Sequence, residues 1–251
     1  GMHQAGVEPD AASLSIAVTA IGKARLWRKT LDLVALLAGQ GLETDTIAHS
    51  SLFSSMEKGQ QWQRACVLLM QLGTQGVEPH AFAYNACLSA CEKGKRWETA
   101  LGLQAKMRFE GIECDLMTFS ACISAAEKVA HWELACSLLG ALTATRLAAD
   151  LVAHNAVLGA LGKGQQVERV LQELRRLSLL SPKTLFPDAV SYNVGILACA
   201  EAVRWQEAFR LFDECVAKGI LPDEASSSAL LFESEQRDLV GRESQLLLGL
   251  Q

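Results

Sequence analysis

The chain has 251 residues, half of them hydrophobic, with 23 basic and 28 acidic side chains and a net charge of −5. This size permits one large domain or two small ones with a sizeable core, and no apolar run reaches the ~18–20 residues of a membrane span. Eight cysteines without a signal-peptide-like start read as reduced thiols of an intracellular protein and argue against a disulfide framework.

The charge is uneven. Residues 201–251 carry ten acidic and five basic side chains, and residues 1–200 carry eighteen of each. Nucleic-acid binders are usually basic, so such a role rests here on where the lysines point.

The opening GMHQAGVEPD reads as the tail of a repeat. The segment YNACLSACEKGKRWETAL at 84–101 returns as FSACISAAEKVAHWELAC at 119–136 and as YNVGILACAEAVRWQEAF at 192–209. A more distant copy is HSSLFSSMEKGQQWQRAC at 49–66. The period is thirty-five residues, and Trp27, Trp62, Trp97, Trp132 and Trp205 all fall in one phase of it, with Val167 in the remaining place. The repeats are 11–45, 46–80, 81–115, 116–150, 151–188 and 189–223, flanked by partial repeats 1–10 and 224–251, in a single solenoid over 1–251. The fifth is longer by three residues, near 181–186, where a loop is expected.

Each repeat reads as two helices. Tyr84, Cys87, Leu88 and Cys91 form one apolar stripe at i, i+3, i+4, i+7. Gly94 is expected to end that helix, and Lys93 suits its negative end. Trp97, Ala100, Leu101 and Met107 form the second stripe, closed by Gly111. No segment alternates as a strand would. The tryptophans are expected in the core, facing the first helix of their own hairpin. Cys87 and Cys91 lie on a buried stripe with no convergent second pair, so they read as packing and not as a metal site. His49 and His154 hold the aromatic place of Tyr84 and read as packing too. No zinc-deaminase, phosphate-loop or nuclease pattern is present.

These features resemble the pentatricopeptide repeat family: the thirty-five-residue hairpin, Tyr84-Asn85 and Tyr192-Asn193 near repeat starts, and the closes GVEPD at 6–10 and GILPD at 219–223. The resemblance implies an all-α, right-handed superhelix of helical hairpins that binds single-stranded RNA, about one base per repeat. It implies no cofactor, no catalytic residues and no membrane or small-molecule partner, with other RNA-processing proteins as further partners. It also implies a mitochondrial or chloroplast setting, with the targeting segment and further repeats expected outside this chain.

By the same resemblance, one base reader is the polar residue on the first helix: Ser15, Ser50, Asn85, Ser120, Asn155 and Asn193. The second is the last residue of the repeat: Asp45, His80, Asp115, Asp150, Asp188 and Asp223. Helix capping alone would also explain the aspartates. Asn with Asp implies uracil and Ser with Asp implies guanine, giving G, any base, U, G, U, U from the 5′ end. Ile47, Phe82, Met117, Val152 and Val190 stand beside the first readers, where they either clamp bases or pack between repeats. Lys23, Lys58, Lys93, Lys128 and Lys163 share one phase, with Glu201 in the sixth place; they suit a phosphate backbone as well as helix C-termini. The acidic end, 224–251, is expected to cap the solenoid without binding RNA. Two other readings stand: a protein-binding helical scaffold, which the neutral-to-acidic balance favours, and the RNA-targeting arm of a larger processing enzyme.

Overall fold

The computed structural model describes residues 11–23, 26–39, 46–74, 80–145, 147–179 and 186–236. Among them are thirteen α-helices and no strand. The first helices of successive repeats are α1 (Ala11–Lys23), α3 (Thr46–Lys58), α5 (Ala81–Lys93), α7 (Leu116–Lys128), α9 (Leu151–Lys163), α11 (Ala189–Glu201) and α13 (Glu224–Gln236). The second helices are α2 (Trp27–Gly39), α4 (Trp62–Thr74), α6 (Trp97–Phe109), α8 (Trp132–Ala144), α10 (Val167–Leu179) and α12 (Trp205–Ala217). No helix among the described residues is long and apolar enough to cross a membrane.

The chain divides into two compact units, Gly1–Ala125 and Ala126–Gln251. In the first, α1 packs on α3 and α3 on α5, while α2 and α4 reach the first helix that follows them. In the second, α9 packs on α11 and α11 on α13 in the same way, with α8 against α9 and α10 against α11. A hairpin has two apolar stripes and can bury only one internally, so the second must be covered by the neighbouring repeat.

In α5 the stripe buries Tyr84, Cys87, Leu88 and Cys91, and Ala83, Ala86 and Ala90 let the neighbours approach closely. The aromatic place is tied by a polar bond to its own hairpin. Tyr84 Oη donates to Glu110 at 2.5 Å, Tyr192 Oη donates to Glu214 at 2.8 Å, and buried His154 meets Glu173 at 2.8 Å. A buried hydroxyl or ring nitrogen without a partner would cost ~1–3 kcal/mol, so each carboxylate supports the packing of the ring.

The ends of the first helices differ from expectation. Gly94 has φ −81°, an ordinary helical value, and the left-handed residue is Lys95 at φ 56°. Arg96 N–H donates to Cys91 C=O and Lys95 N–H to Glu92 C=O, the bond pair that closes a helix with one left-handed residue. Gln60, Ala130, Gln165 and Val203 repeat this at φ 55–61°. Among the described residues, glycine takes that place after two second helices, at Gly111 and Gly219.

A left-handed L-residue costs ~1–2 kcal/mol, against ~1 kcal/mol for the extra unfolded freedom of glycine. Val203 is branched and exposed, so its strain is the least compensated. Val203→Gly is therefore expected to stabilise the protein by up to ~1 kcal/mol, read as a higher urea midpoint at unchanged slope. A lower midpoint would show that the valine side chain stabilises more than its backbone strains.

Candidate functional site

Helices α5, α7 and α9 each carry a face that packing leaves open, whereas Asn193 of α11 is buried. In α5, Phe82, Asn85, Ser89 and Lys93 follow one another at spacings of three, four and four, which keeps them on one side of the helix. In α7 the series is Met117, Ser120, Ser124 and Lys128, and in α9 it is Val152, Asn155, Gly159 and Lys163.

The apolar member of each series points into solvent. Phe82 is 51% exposed, Met117 66%, Val152 63% and Val190 54%. Packing between repeats does not account for these side chains, since it leaves them uncovered. The side chains of Ile47, Ser15 and Lys23, and all of Asp45, lie outside the described residues.

The polar members converge. Asn85 and Asp115 are thirty residues apart, yet Asn85 Nδ2 lies 3.1 and 3.2 Å from the two carboxylate oxygens. Asn155 Nδ2 donates to Asp188 Oδ1 at 3.1 Å. In the sixth repeat the contact differs, because Asp223 N–H donates to Asn193 Oδ1 at 3.2 Å.

The aspartates are also helix caps. Thr118 N–H donates to Asp115, Ala153 N–H to Asp150, Ser191 N–H to Asp188 and Ser226 N–H to Asp223, all at 2.8–2.9 Å. Capping and contact with the asparagine of the same repeat therefore coexist on the side chains of Asp115 and Asp188. His80 holds the cap position of α5 without a side-chain bond to it. Ser50 is half-buried on α3, and the buried hydroxyl of Ser120 has no hydrogen-bond partner among the described residues.

Burial works against ionisation of Asp188. The Ser191 N–H, the Asn155 amide and the Ser191 hydroxyl outweigh it and hold the carboxyl below its usual value. The group is thus a fixed acceptor at neutral pH.

The lysines are not a bare row of charge. Lys93 Nζ is 2.8 Å from Glu57 of the preceding repeat, and Lys163 Nζ is 2.9 Å from Glu127. Ser89 Oγ also donates to Glu57, at 2.9 Å. Lys58 is exposed and Lys128 half-buried. These pairs sit at the surface, where ion pairs contribute ~0–1 kcal/mol and exchange readily.

The tryptophans depart from expectation as well. All five are half-buried. Three of them abut the glycine that ends the first helix of the next repeat. A Cβ on Gly59 would lie 2.6 Å from Trp27 Cδ1, one on Gly94 2.7 Å from Trp62 Cδ1, and one on Gly164 2.4 Å from Trp132 Cδ1. Arginines lie over the rings: Arg64 is 4.3 Å from the Trp27 ring centre, Arg96 4.7 Å from Trp62 and Arg169 4.2 Å from Trp132. These rings join consecutive repeats and are not available to stack on a base.

The cysteines belong to the packing. Cys87 and Cys91 are fully buried, with Cys66 Sγ 3.9 Å from Cys91 Sγ. Hydrogen bonding to Cys66 and burial both hold the Cys87 and Cys91 thiols protonated. Burial pushes Cys122 up to about 12. Among the described residues no group of three or more His, Cys, Asp or Glu is arranged to hold a metal ion.

Stacked hairpins define a helical-repeat protein. A family model of the pentatricopeptide repeat, the PPR repeat, matches residues 82–112 and 190–220, so these two segments are pentatricopeptide repeats. No curated protein matches it.

Solved structures that it is similar to include PPR10 from maize, at 18% identity and a TM-score of 0.65 over 98% of this chain and 39% of that one. PPR10 in complex with an 18-nucleotide psaJ RNA element gives 18% identity and a TM-score of 0.57 over 98% and 41%. The PPR domain of protein-only RNase P 1 from Arabidopsis thaliana, in complex with tRNA, gives 13% and 0.57 over 64% of this chain and 83% of that domain. These likenesses show the fold, that of a PPR helical-repeat solenoid. The chain spans about two fifths of the length of the PPR10 chains.

Proposed function

We propose that this protein binds single-stranded RNA selectively, one base per repeat, in one continuous solenoid. The observation that carries the reading is the convergence of Asn85 with Asp115, and of Asn155 with Asp188, beside the uncovered Phe82, Met117, Val152 and Val190. An exposed apolar side chain supplies a surface for the face of a base, and the polar pair supplies hydrogen bonds for its edge. RNA in complex with PPR10 and with the RNase P domain supports the same reading.

Asn85, Asn155 and Asn193 then read U with Asp115, Asp188 and Asp223, while Ser15 and Ser120 read G with Asp45 and Asp150. Ser50 with His80 leaves its base open. Lys23, Lys58, Lys93, Lys128 and Lys163 carry the phosphates, with Lys93 and Lys163 exchanging Glu57 and Glu127 for the RNA backbone. The setting is a mitochondrial or chloroplast transcript that is stabilised, processed or translated, with any catalytic step supplied by another protein or domain.

Selection of bound sequences from a random RNA pool tests this, with G-N-U-G-U-U as the expected consensus. Asn85→Ser should move the third base from U toward G and leave the other positions alone, because separated repeats act nearly independently. An Asn85→Ser protein that loses affinity with no change of base would show that these side chains hold the fold and do not read RNA.

A further inference from the structure

The residue three places into each repeat follows a rule. Where the preceding repeat has Asn as its first reader, at Asn85, Asn155 and Asn193, the next third position is a hydroxyl: Thr118, Ser191 and Ser226. Where the preceding reader is serine, at Ser15, Ser50 and Ser120, that position is alanine: Ala48, Ala83 and Ala153. The rule holds at all six junctions although the two residues are thirty-three or more positions apart.

The structure gives it a physical basis. Thr118 Oγ lies 2.8 Å from both Asn85 Oδ1 and Asp115 Oδ1 and shares its one proton between them, while Asn85 Nδ2 donates to Asp115. Ser191 Oγ donates to Asn155 Oδ1 at 2.5 Å, while Asn155 Nδ2 donates to Asp188. An ionised carboxylate only accepts, so the NH2 group must face the aspartate. The carbonyl then faces away from it and finds the hydroxyl. Both ends of the amide are held, and the flip that would exchange them loses the bond from Nδ2 to the aspartate and turns the amide oxygen onto a carboxylate.

The orientation of an amide bears on which pyrimidine it fits. Uracil presents the acceptor O4 beside the donor N3–H, whereas cytosine presents the donor N4–H2 beside the acceptor N3. An amide pairs with either by turning over. A serine hydroxyl rotates freely and has no such two-ended orientation, which accounts for alanine at the third position behind a serine reader.

We propose that Thr118 and Ser191 are positioning residues that lock the amides of Asn85 and Asn155 in one orientation, so that the third and fifth bases are read as uracil and cytosine is rejected. This rests on the base-reading function proposed above. In the sixth repeat the amide is engaged the other way, through Asp223 N–H, and the Ser226 hydroxyl has no partner among the described residues. Ser226 therefore contributes no lock there.

The experiment uses the full chain and short RNAs that differ only at base three or base five. Thr118→Val keeps the branched shape and removes the hydroxyl. It should reduce the U-over-C preference at base three by about tenfold, the scale of a bidentate base contact, while the preferences at the other bases hold. Ser191→Ala should do the same at base five, Thr118→Ser should restore the wild-type ratio, and Ser226→Ala should change nothing.

A second readout needs no RNA. The side-chain NH2 protons of Asn85 should exchange with solvent faster in Thr118→Val than in wild type. Unchanged U-over-C ratios in Thr118→Val and Ser191→Ala, in a wild type that does prefer U at those bases, would overturn the lock and leave the base reading standing. A wild type indifferent at base three would overturn the reading and the lock with it. An Asn85 exchange rate that Thr118→Val leaves unchanged would also count against the lock.

Discussion

Replacing Lys58, Lys93 and Lys128 together with alanine is expected to weaken RNA binding for all sequences alike and to flatten the plot of log affinity against log salt. The loss of slope is up to ~2–3 units, about one per lost phosphate contact. The observed pairing of Lys93 with Glu57, and of Lys163 with Glu127, adds a term of opposite sign. Each glutamate sits where it competes with a phosphate for the same ammonium group. Glu57→Gln and Glu127→Gln should therefore raise affinity and leave the base preference unchanged, since a charge that contacts only the backbone carries no sequence information. An unchanged salt slope in the triple alanine protein would return the lysines to the stabilisation of helix ends, which is worth ~0.3–1 kcal/mol each.

The helices were legible in the sequence because the information is local and repeated. Apolar stripes at i, i+3, i+4, i+7 specify each helix, and a fixed period of thirty-five specifies that the hairpins stack. The rows of Asn85, Asp115 and Phe82 were legible for the same reason, as positions in a phase. Contacts between repeats were not, because they depend on how far one hairpin turns on the next. Glu57, Glu92 and Glu127 stand one place before Lys58, Lys93 and Lys128, and that in-phase row was the signal for the ion pairs. The alternation of hydroxyl and alanine at 48, 83, 118, 153, 191 and 226 was also present in the sequence. It gains meaning only once Thr118 is seen to lie 2.8 Å from an amide thirty-three residues away. Gly94 misled for a physical reason. Glycine at a helix end usually supplies a left-handed backbone, and here it supplies space.

That use of space predicts a change of sign. Gly94→Ala places a methyl 2.7 Å from Trp62 Cδ1, a separation that carbon atoms do not tolerate, and Arg96 lies over the same ring. The expected cost is ~1–3 kcal/mol, the range for forcing extra volume into a packed contact. That cost corresponds to roughly 2–4 °C of melting temperature per kcal/mol for a chain of this size. Trp62→Ala alone also destabilises, by removing the ring that joins the two repeats. In the Trp62→Ala background the obstruction is gone, and Gly94→Ala should become neutral or stabilising by ~0.5–1 kcal/mol through the lower unfolded entropy of alanine. The chain contains a precedent: where Val167 replaces the tryptophan, Ala202 replaces the glycine. The sequence pairing fails at Trp97 with Val129 and at Trp205 with Arg237. A coupling of at least ~1 kcal/mol between Trp62 and Gly94, measured by thermal denaturation of the two single variants and the double variant, is the expected result. Equal costs of Gly94→Ala in both backgrounds would mean that the glycine serves its own helix end and not the indole of the repeat before it.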